Sequence, residues 1–599
     1  MKKFLFGFLL ALLVPMAAVA VPSTSSDGVE VELSAEDLDR RRVALSDLLE
    51  EQWQYTLRTG PELASILGDR RYNDQLSDLS ERAVQKDLSA TRAFLRRFSA
   101  ISTVAFSEQE KLNRDLMVAG LQESIDAARF RGWQMPVNQQ SGVHLLLAQL
   151  PSMLPFATVR DYEDYIVRLG RMPRQLDDTI ANMRKGMAAG LMPPRYLLEQ
   201  VAEQATGIRS APLESSPFSV PLANFPEEFS AEERERLRRQ VHQAIETSVL
   251  PAYGLFERFV KNVYAPKGRV EAGIWALPDG KARYEFQVRR QTTTSLSPEE
   301  IHETGLREVA RIETEMMEIA RRLGFDDLSS FNRSLETNPA VRPSSGDEIL
   351  ELYRKYIDQM YARLPELFGR LPKAKLEVVA TPAFRERNAA AADYNTGSPD
   401  GSRPGRVNVN TWEATSRKTL PVESTAYHEG VPGHHMQLAI QQELTTLPPF
   451  RQQGGYTAFI EGWALYSERL GKEVGFYQDA YSDYGRLNDE MLRAIRLVVD
   501  TGLHDRRWNR EQVVQFFRDH SAIDEVEIQS ETDRYIVWPG QALAYKIGQL
   551  KILELRERAQ KELGSKFDIR GFHDEVLGAG ALPLQALEER MISWIERQK

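Results

Sequence analysis

One histidine-rich segment constrains the fold more than any other part of this 599-residue chain. Residues 425–437 hold three of the nine histidines, His428, His434 and His435, with Glu429 directly after the first. Imidazole is the commonest side-chain metal ligand, and a carboxylate beside it can accept a proton from metal-bound water. The segment therefore predicts a metal site, which the fold has to assemble by bringing two of these histidines together.

The spacing of the histidines predicts an interrupted helix. In the zinc-hydrolase pattern H-E-x-x-H, two histidines one helical turn apart bind Zn²⁺. Here His434 and His435 follow His428 by six and seven positions. In a straight helix, a residue six positions on points about 120° away, and one seven positions on lies about 10 Å further along the axis, so neither could share an ion with His428. Pro432 and Gly433 lie within this spacing and favour a break or bulge. A loop-out of two residues would bring His434 next to His428, and we expect His434 as the ligand. A loop-out of three residues would bring His435 there instead. The alternative is a solvated helix end that binds no metal.

The third metal ligand is expected in the run 459–468, which contains Glu461 and Glu468. A hydrolytic zinc site needs three protein ligands and an open position for water. Glu461 has apolar neighbours at helical spacing, and a carboxylate in such surroundings is costly unless it is paired or bound to a metal. We therefore expect Glu461 as the ligand, with Glu468 as the fallback. The alternative is a helix that carries two surface glutamates.

Three motifs resemble those of one bacterial family. They are H-E-x-x-P-G-H at 428–434, E-G-W-A-L-Y at 461–466 and D-T-G-L-H at 500–504. Together they are typical of the family known as domain of unknown function 885 (DUF885), which is regarded as similar to glutamate-zincin metallopeptidases. The resemblance runs from about residue 45 to the C-terminus, with weaker matches at 61–72 and 534–542.

The resemblance implies both a site and a fold. His428, His434 and Glu461 would bind one Zn²⁺ ion per chain, and Glu429 would act as the general base. The fold would be a large, mainly α, zincin-like protein whose helices enclose a channel, with a small β-sheet beside the active-site helix. With 42% hydrophobic residues, the chain can bury more than one core.

The chain is expected to begin with a targeting segment. Basic residues at 2–3, an apolar run at 4–16 and small residues at 18–20 are typical of a secretory signal. The run is too short for a transmembrane helix, and no later stretch is long and apolar enough to span a membrane. We therefore expect a signal peptide at 1–20 and a protein of the bacterial periplasm or the medium.

The rest of the chain is expected to form a flexible acidic lead-in and one helical metallohydrolase domain. The lead-in would occupy 21–38 and the domain 39–599. A Ser- and Pro-rich break at 208–229 suggests an N-terminal lobe of 39–206 and a C-terminal catalytic lobe of 230–599.

Composition excludes several other classes of protein. The net charge of −10 is dispersed along the chain and gives no support for nucleic-acid binding. Because the chain has no Cys, disulfides, a lipid-bearing cysteine and a cysteine nucleophile are excluded. Any metal must then be held by His and carboxylate side chains. The oligomeric state is left open.

Two short strands are predicted just upstream of the histidine motif. Residues 375–380 and 406–410 are β-branched or alternating, and a turn-rich segment separates them. A strand beside the metal could offer its free edge to an extended peptide. We expect Val407 and Asn408 to contact the substrate backbone; the alternative is a structural hairpin that binds no ligand.

Five further residues are candidates for supporting roles. Asp500 and His504 lie one helical turn apart and could orient the metal ligands from behind, as could His435, although a helix C-terminal turn would leave the same pattern. Tyr535 and Tyr545 could donate to a developing oxyanion, and Arg534 could clamp a peptide carboxylate. Each tyrosine could equally be a core residue with a satisfied hydroxyl.

The sequence thus favours an exported zinc peptidase that hydrolyses short oligopeptides, with Glu429 as the base. A serine mechanism is disfavoured because the chain lacks a G-x-S-x-G elbow. Two alternatives remain. One is a metal-dependent amidase or esterase that acts on a non-peptide substrate, and the other is a non-catalytic periplasmic binding protein with a residual metal site. Glu429 argues against the second, because a structural zinc site needs no base.

Overall fold

The computed structural model describes residues 34–382, 386, 389–397 and 403–599. The predicted signal peptide at 1–20 lies outside the described residues, as does most of the predicted lead-in. Among the described residues, the first helix begins at Ala35, inside that lead-in, because Ser34 caps it by accepting a hydrogen bond from the Asp37 N–H. In the described part of the chain, no helix combines the length and the apolar character needed to cross a membrane.

The described residues form two compact units. The N-terminal unit comprises the described residues up to 272 together with 276–280. Its α-helices are α1 (Ala35–Thr59), α2 (Pro61–Ile66), α3 (Glu81–Ser99), α4 (Glu108–Ala128), α5 (Val143–Gln149), α6 (Val159–Ala188), α7 (Arg195–Ser210), α8 (Ala231–Ala244) and α9 (Leu250–Phe259). Single π-helical turns, Ile245–Val249 and Val260–Tyr264, continue α8 and α9.

The boundary between the units differs from the one that the sequence suggests. A C-terminal lobe that starts at residue 230 would include α8 and α9. In the structure, Tyr253 of α9 is fully buried in the same hydrophobic core as Tyr162 of α6. Phe218, within the Ser- and Pro-rich break at 208–229, is also buried there. The break is therefore a connection inside one core, and the division falls near residue 273 instead.

The weak motif at 61–72 has a structural role in the N-terminal unit. Glu62 is buried and accepts a hydrogen bond from Gln175 Nε2 over 2.9 Å. Arg168, fully buried on the same helix α6, donates to the Tyr72 carbonyl over 2.9 Å. Buried polar groups need such partners, so these bonds tie the motif to α6.

The C-terminal unit comprises the described residues of 281–599 together with 273–275. Its α-helices are α10 (Gly280–Thr292), α11 (Pro298–Arg322), α12 (Leu328–Leu335), α13 (Gly346–Leu367), α14 (Val422–Glu429), α15 (His434–Gln442), α16 (Pro449–Gln453), α17 (Thr457–Glu473), α18 (Ala480–His504), α19 (Arg510–His520), α20 (Glu525–Val537), α21 (Ala544–Leu563), α22 (Ile569–Leu577) and α23 (Leu584–Gln598). Its strands are β1 (Leu376–Ala380), β2 (Ala392–Asn395) and β3 (Gly405–Val409). The predicted mainly α fold with a small sheet is confirmed.

The three strands form one sheet in the order β1-β3-β2. β3 pairs in parallel with β1 and antiparallel with β2. The prediction that β3 offers a free edge to a peptide is therefore wrong, because its neighbours use both of its backbone edges. Val407 and Asn408 are buried in this central strand, and Asn408 Nδ2 donates to Asp393 Oδ2 over 3.0 Å.

Candidate metal centre

The two histidines predicted as ligands come from helices that meet at a sharp break. α14 ends at Glu429 and α15 begins at His434, so the four residues 430–433 lie outside both helices. The Gly433 N–H donates to the Tyr427 carbonyl over 3.0 Å, which folds the connection back onto α14. The break is longer than the predicted loop-out of two residues, but it brings His434 and not His435 next to His428.

Gly433 is required at this break. A Cβ atom on it would lie 2.0 Å from the carbonyl oxygen of His428, which no side chain tolerates. On the other side of the break, Trp463 Nε1 donates to the Pro432 carbonyl over 2.8 Å and ties the connection to α17. Because α17 also carries Glu461, this contact helps to set the distance between the histidines and the third predicted ligand.

His428, His434 and Glu461 converge on one point. Glu461 Oε2 lies 3.7 Å from His428 Nε2 and 3.5 Å from His434 Nε2. All three ligand atoms lie within 4.8 Å of one another. Two atoms bound to one tetrahedral zinc ion, each about 2.1 Å from it, are separated by about 3.4 Å. The predicted ligands therefore have separations that suit a single ion.

The unpaired atoms of the cluster also fit a cation. Within the described residues, His428 Nε2 and Glu461 Oε2 are buried and have no hydrogen-bond partner, although buried polar atoms are normally paired. Burial lowers the pKa of His428, but the Glu461 and Glu468 carboxylates outweigh it and raise that pKa above its usual value. Burial raises the pKa of Glu461, but His428 and His434 hold it well below its usual range. Two imidazoles and one carboxylate form the donor set of a hydrolytic zinc site with one position left open.

Glu468 supports His428 from behind. Its Oε1 atom lies 2.7 Å from His428 Nδ1 and 3.7 Å from Arg493 Nη2. With Nδ1–H donating to Glu468, the lone pair of Nε2 is directed at the cluster. Glu468, the fallback candidate for the third ligand, is therefore placed to orient His428 and not to bind a metal itself. The sequence predicts this orienting role for Asp500 and His504 instead.

We expect Glu468→Gln to weaken zinc binding by about 10- to 100-fold, because the carboxylate behind a metal-binding histidine typically contributes that much. Competition with a chromophoric chelator measures the affinity. Glu473→Gln is the matched control on the same helix, where Glu473 pairs with Arg556, and it should bind zinc as tightly as the parent protein. Equal affinities of the Glu468→Gln and parent proteins would show that His428 needs no such support.

One carboxylate oxygen of Glu429 is hydrogen-bonded, and the other is unpaired among the described residues. It is 2% exposed, and its Oε2 accepts the backbone N–H of Tyr394 in β2 over 3.1 Å. Its Oε1 is buried and has no hydrogen-bond partner among the described residues. A carboxylate that is fixed in this way, one residue from the predicted metal ligand His428, has an unpaired oxygen that can accept a proton.

His435 lies beside the cluster but faces the sheet. Its Nδ1 is 3.0 Å from the hydroxyl of Tyr394. Burial lowers the pKa of His435 to about 4, so the imidazole is neutral at physiological pH. His435 thus packs behind β2, the strand that holds Glu429.

Tyr545 is the predicted oxyanion donor that lies next to the cluster. Helices α17 and α21 approach so closely that a Cβ atom on Gly462 would lie 2.4 Å from the Cα of Gly548. Glu461 precedes Gly462, and Tyr545 stands one turn before Gly548. Burial raises the pKa of the Tyr545 hydroxyl, and the nearby negative charge of Glu461 adds to the rise.

Arg534 and Tyr535 belong to a buried ion network. Arg534 donates to Glu531 Oε1 over 3.0 Å and to the Tyr545 hydroxyl over 3.3 Å. The Tyr535 hydroxyl donates to Glu531 and accepts from Arg496 Nε. These contacts speak against Tyr535 as an oxyanion donor and against Arg534 as a clamp for substrate. Arg534 instead orients Tyr545.

Asp500 and His504 are predicted to support the metal ligands, but they contact Tyr284 and the segment around Tyr535 and Gly540 instead. Asp500 accepts hydrogen bonds from the Tyr284 hydroxyl and the Gly540 N–H. His504 Nε2 donates to the Tyr535 carbonyl over 2.9 Å. Both side chains therefore bind the polypeptide that precedes Tyr545, and neither of these bonds reaches a metal ligand.

Two solved structures are similar to this chain over nearly its whole length. A protein of Colwellia psychrerythraea, described as a "putative lipoprotein", is 30% identical and superimposes with a TM-score of 0.88, covering 93% of this chain and 100% of that one. A protein of Shewanella oneidensis, described as a "putative lipoprotein of unknown function", is 17% identical with a TM-score of 0.72, covering 92% and 99%. The second likeness shows the fold alone.

The family comparison covers the cluster and its supporting residues. No curated protein matches the sequence significantly. The family model described as "Bacterial protein of unknown function (DUF885)" matches residues 61–591. That range includes α14, α15 and α17, which carry the cluster, and the motif at 61–72. The chain therefore belongs to the DUF885 family of bacterial proteins.

Proposed function

We propose that this protein is an exported zinc-dependent peptidase that hydrolyses short oligopeptides. One observation carries the proposal: His428, His434 and Glu461 converge on one point, and the residue after His428 is Glu429, a buried carboxylate with one oxygen hydrogen-bonded and the other unpaired among the described residues. A structural zinc site is usually closed by four protein ligands and has no need for a base. Three ligands next to a poised carboxylate are the arrangement of a hydrolase.

The residues of this chain suffice for each proton transfer. Zinc bound by the cluster would polarise a peptide carbonyl and lower the pKa of a water molecule. Glu429 Oε1 would accept a proton from the attacking water molecule as the oxygen of that water bonds to the carbonyl carbon. The Tyr545 hydroxyl donates a hydrogen bond to the carbonyl oxygen as negative charge develops there. Glu429 then passes its proton to the amide nitrogen, the C–N bond breaks, and a carboxylic acid and an amine are released.

Strand β2 forms the edge of the sheet that adjoins Glu429, and its residues Ala392, Asp393 and Tyr394 are buried. β2 lies at one edge of the sheet and pairs only on its β3 side among the described strands. The N–H of Tyr394 points away from β3, toward Glu429. Because alternate residues of a strand face the same way, Ala392 presents its backbone to this edge as well. A peptide that paired with this edge at Ala392 would run beside Glu429 and would have to leave the bond between Glu429 and the Tyr394 N–H intact.

An envelope location accords with the proposal. The N-terminal residues have the pattern of a secretory signal, and the similar protein of Colwellia psychrerythraea is described as a "putative lipoprotein". An exported peptidase would meet oligopeptides in that compartment.

Digestion of a library of unstructured peptides tests the proposed function. We expect cleavage by the zinc-loaded protein, its loss with 1,10-phenanthroline and its recovery with added zinc. Native folded proteins should be cut little, because they would have to unfold locally to reach ligands that are almost completely buried. Peptides with free and blocked termini, tested in parallel, distinguish exopeptidase from endopeptidase action.

Three outcomes would contradict the assignment. Cleavage that persists in the chelator would remove the metal from the reaction. Hydrolysis of simple amides or esters without peptide cleavage would favour the non-peptide hydrolase. Stoichiometric zinc without turnover of any of these substrates would favour the non-catalytic binding protein.

A further inference from the structure

The connection between α20 and α21 is held from two sides by the last turn of α18. Asp500 is fully buried and accepts the Gly540 N–H with both carboxylate oxygens, over 3.0 and 3.1 Å. His504, one turn later, donates from Nε2 to the Tyr535 carbonyl over 2.9 Å. Because Tyr535 lies in the last turn of α20 and Gly540 precedes α21, the two bonds fasten the connection near both of its ends.

Asp500 and His504 are themselves held in place. The Tyr284 hydroxyl donates to Asp500 Oδ1 over 2.7 Å. The Ile274 N–H donates to His504 Nδ1 over 3.0 Å. Since Nδ1 accepts a hydrogen bond, His504 is a neutral imidazole whose proton is on Nε2. None of the groups bound here by Asp500 or His504 is a metal ligand.

The fastened connection leads directly to Tyr545. Gly540 has a positive φ of 80°, which favours glycine, and a Cβ atom on it would lie 3.1 Å from the backbone of Gln287. Arg534, just before the connection, donates to Gln541 Oε1 over 2.6 Å and to the Tyr545 hydroxyl over 3.3 Å. A displacement of Gly540 would therefore move both the beginning of α21 and the guanidinium that orients its tyrosine.

We propose that Asp500 and His504 are positioning residues that set the Tyr545 hydroxyl against the metal cluster. The inference rests on the proposed role of Tyr545 as the oxyanion donor. Oxyanion stabilisation depends on a donor that is already in place when charge develops, and a misplacement of about 1 Å can lower a rate by about 10²-fold. Two buried anchors on the rigid helix α18 meet that requirement.

Hydrogen exchange of backbone amides tests the inference without a substrate. Asp500→Ala removes the acceptor of the Gly540 N–H, so residues 538–545 should exchange about tenfold faster. Residues 422–442, which carry two of the ligands, should exchange as in the parent protein, and zinc content should not change. His504→Ala should affect the same segment from its other end. Asp505→Ala, at an exposed neighbouring position, is the control and should change neither segment.

The conservative variant Asp500→Asn separates the hydrogen bonds that Asp500 accepts from the negative charge of its carboxylate. Burial raises the pKa of Asp500 to about 7, so the neutral amide of Asp500→Asn resembles the protonated side chain. Its oxygen can accept from both Tyr284 and Gly540, as Oδ1 does in the structure, but its NH₂ group cannot replace the bond from Gly540 to Oδ2. Asp500→Asn should therefore exchange at 538–545 more slowly than Asp500→Ala and faster than the parent protein. Where Asp500→Ala does not fold, Asp500→Asn and His504→Gln are compared with the parent in the same measurement.

If the protein cleaves peptides, a double-mutant cycle that combines Asp500→Ala with Tyr545→Phe gives a second test. Asp500→Ala should lower kcat with KM nearly unchanged, and in the Tyr545→Phe background it should lower kcat by less than about twofold further. Fully additive losses would show that Asp500 does not act through Tyr545 and would overturn the proposal. So would unchanged exchange at 538–545 in the alanine variants, or faster exchange at 422–442 with loss of zinc. The exchange and zinc measurements need no turnover, so they decide the anchoring even if the peptidase assignment fails.

Discussion

Glu429→Gln is expected to keep its zinc and to lose turnover by about 10²-fold or more. The amide matches the carboxylate in size, and its oxygen can still accept the Tyr394 N–H that holds Glu429 in the structure. Its NH₂ group, however, would replace the unpaired oxygen Oε1 and cannot take up a proton. Zinc content by elemental mass spectrometry and initial rates of peptide cleavage measure the two effects separately.

The control for this variant is Glu557→Gln, at an exposed position of α21, which should retain both zinc and activity. Near-normal turnover in Glu429→Gln would exclude Glu429 as the base. If the Glu429→Gln protein loses its zinc together with its activity, Glu429 helps to bind the ion. The prediction that Glu429 acts only as the base would then be wrong.

Alanine at His428, His434 or Glu461 is expected to reduce zinc from about one ion per chain to well below one, because only two ligands of a three-ligand site remain. An ion present at 100 times its Kd stabilises the folded state by about 2.7 kcal/mol. A chelator should therefore lower the Tm of the parent protein and have little effect on the three variants. Zinc analysis and thermal unfolding with and without chelator measure both effects.

His435→Ala is the matched control for the ligand variants, because it removes a neighbouring buried imidazole that faces Tyr394. It should keep its zinc. Full zinc occupancy in His434→Ala, together with loss of zinc in His435→Ala, would reverse the assignment of the second ligand.

The cluster could be predicted from the sequence because its chemistry is concentrated in short segments. His428, Glu429 and His434 lie within one turn-and-helix stretch, where Pro432 and Gly433 show that a straight helix is impossible. Glu461 was identified by the cost of burying a carboxylate among apolar neighbours. The mainly α fold was expected from the resemblance to the DUF885 family, which rests on the short motifs at 428–434, 461–466 and 500–504.

Tertiary structure alone decided which distant residues support the cluster. Glu468, and not Asp500, stands behind His428 because α17 packs against α14 with that face toward it. Tyr545, and not Tyr535, adjoins Glu461 because Gly462 and Gly548 let two helices touch. β3 became the central strand because two other segments pair with it. Each of these outcomes depends on contacts between segments far apart in the chain, and residue type and spacing within one segment carry no information about them.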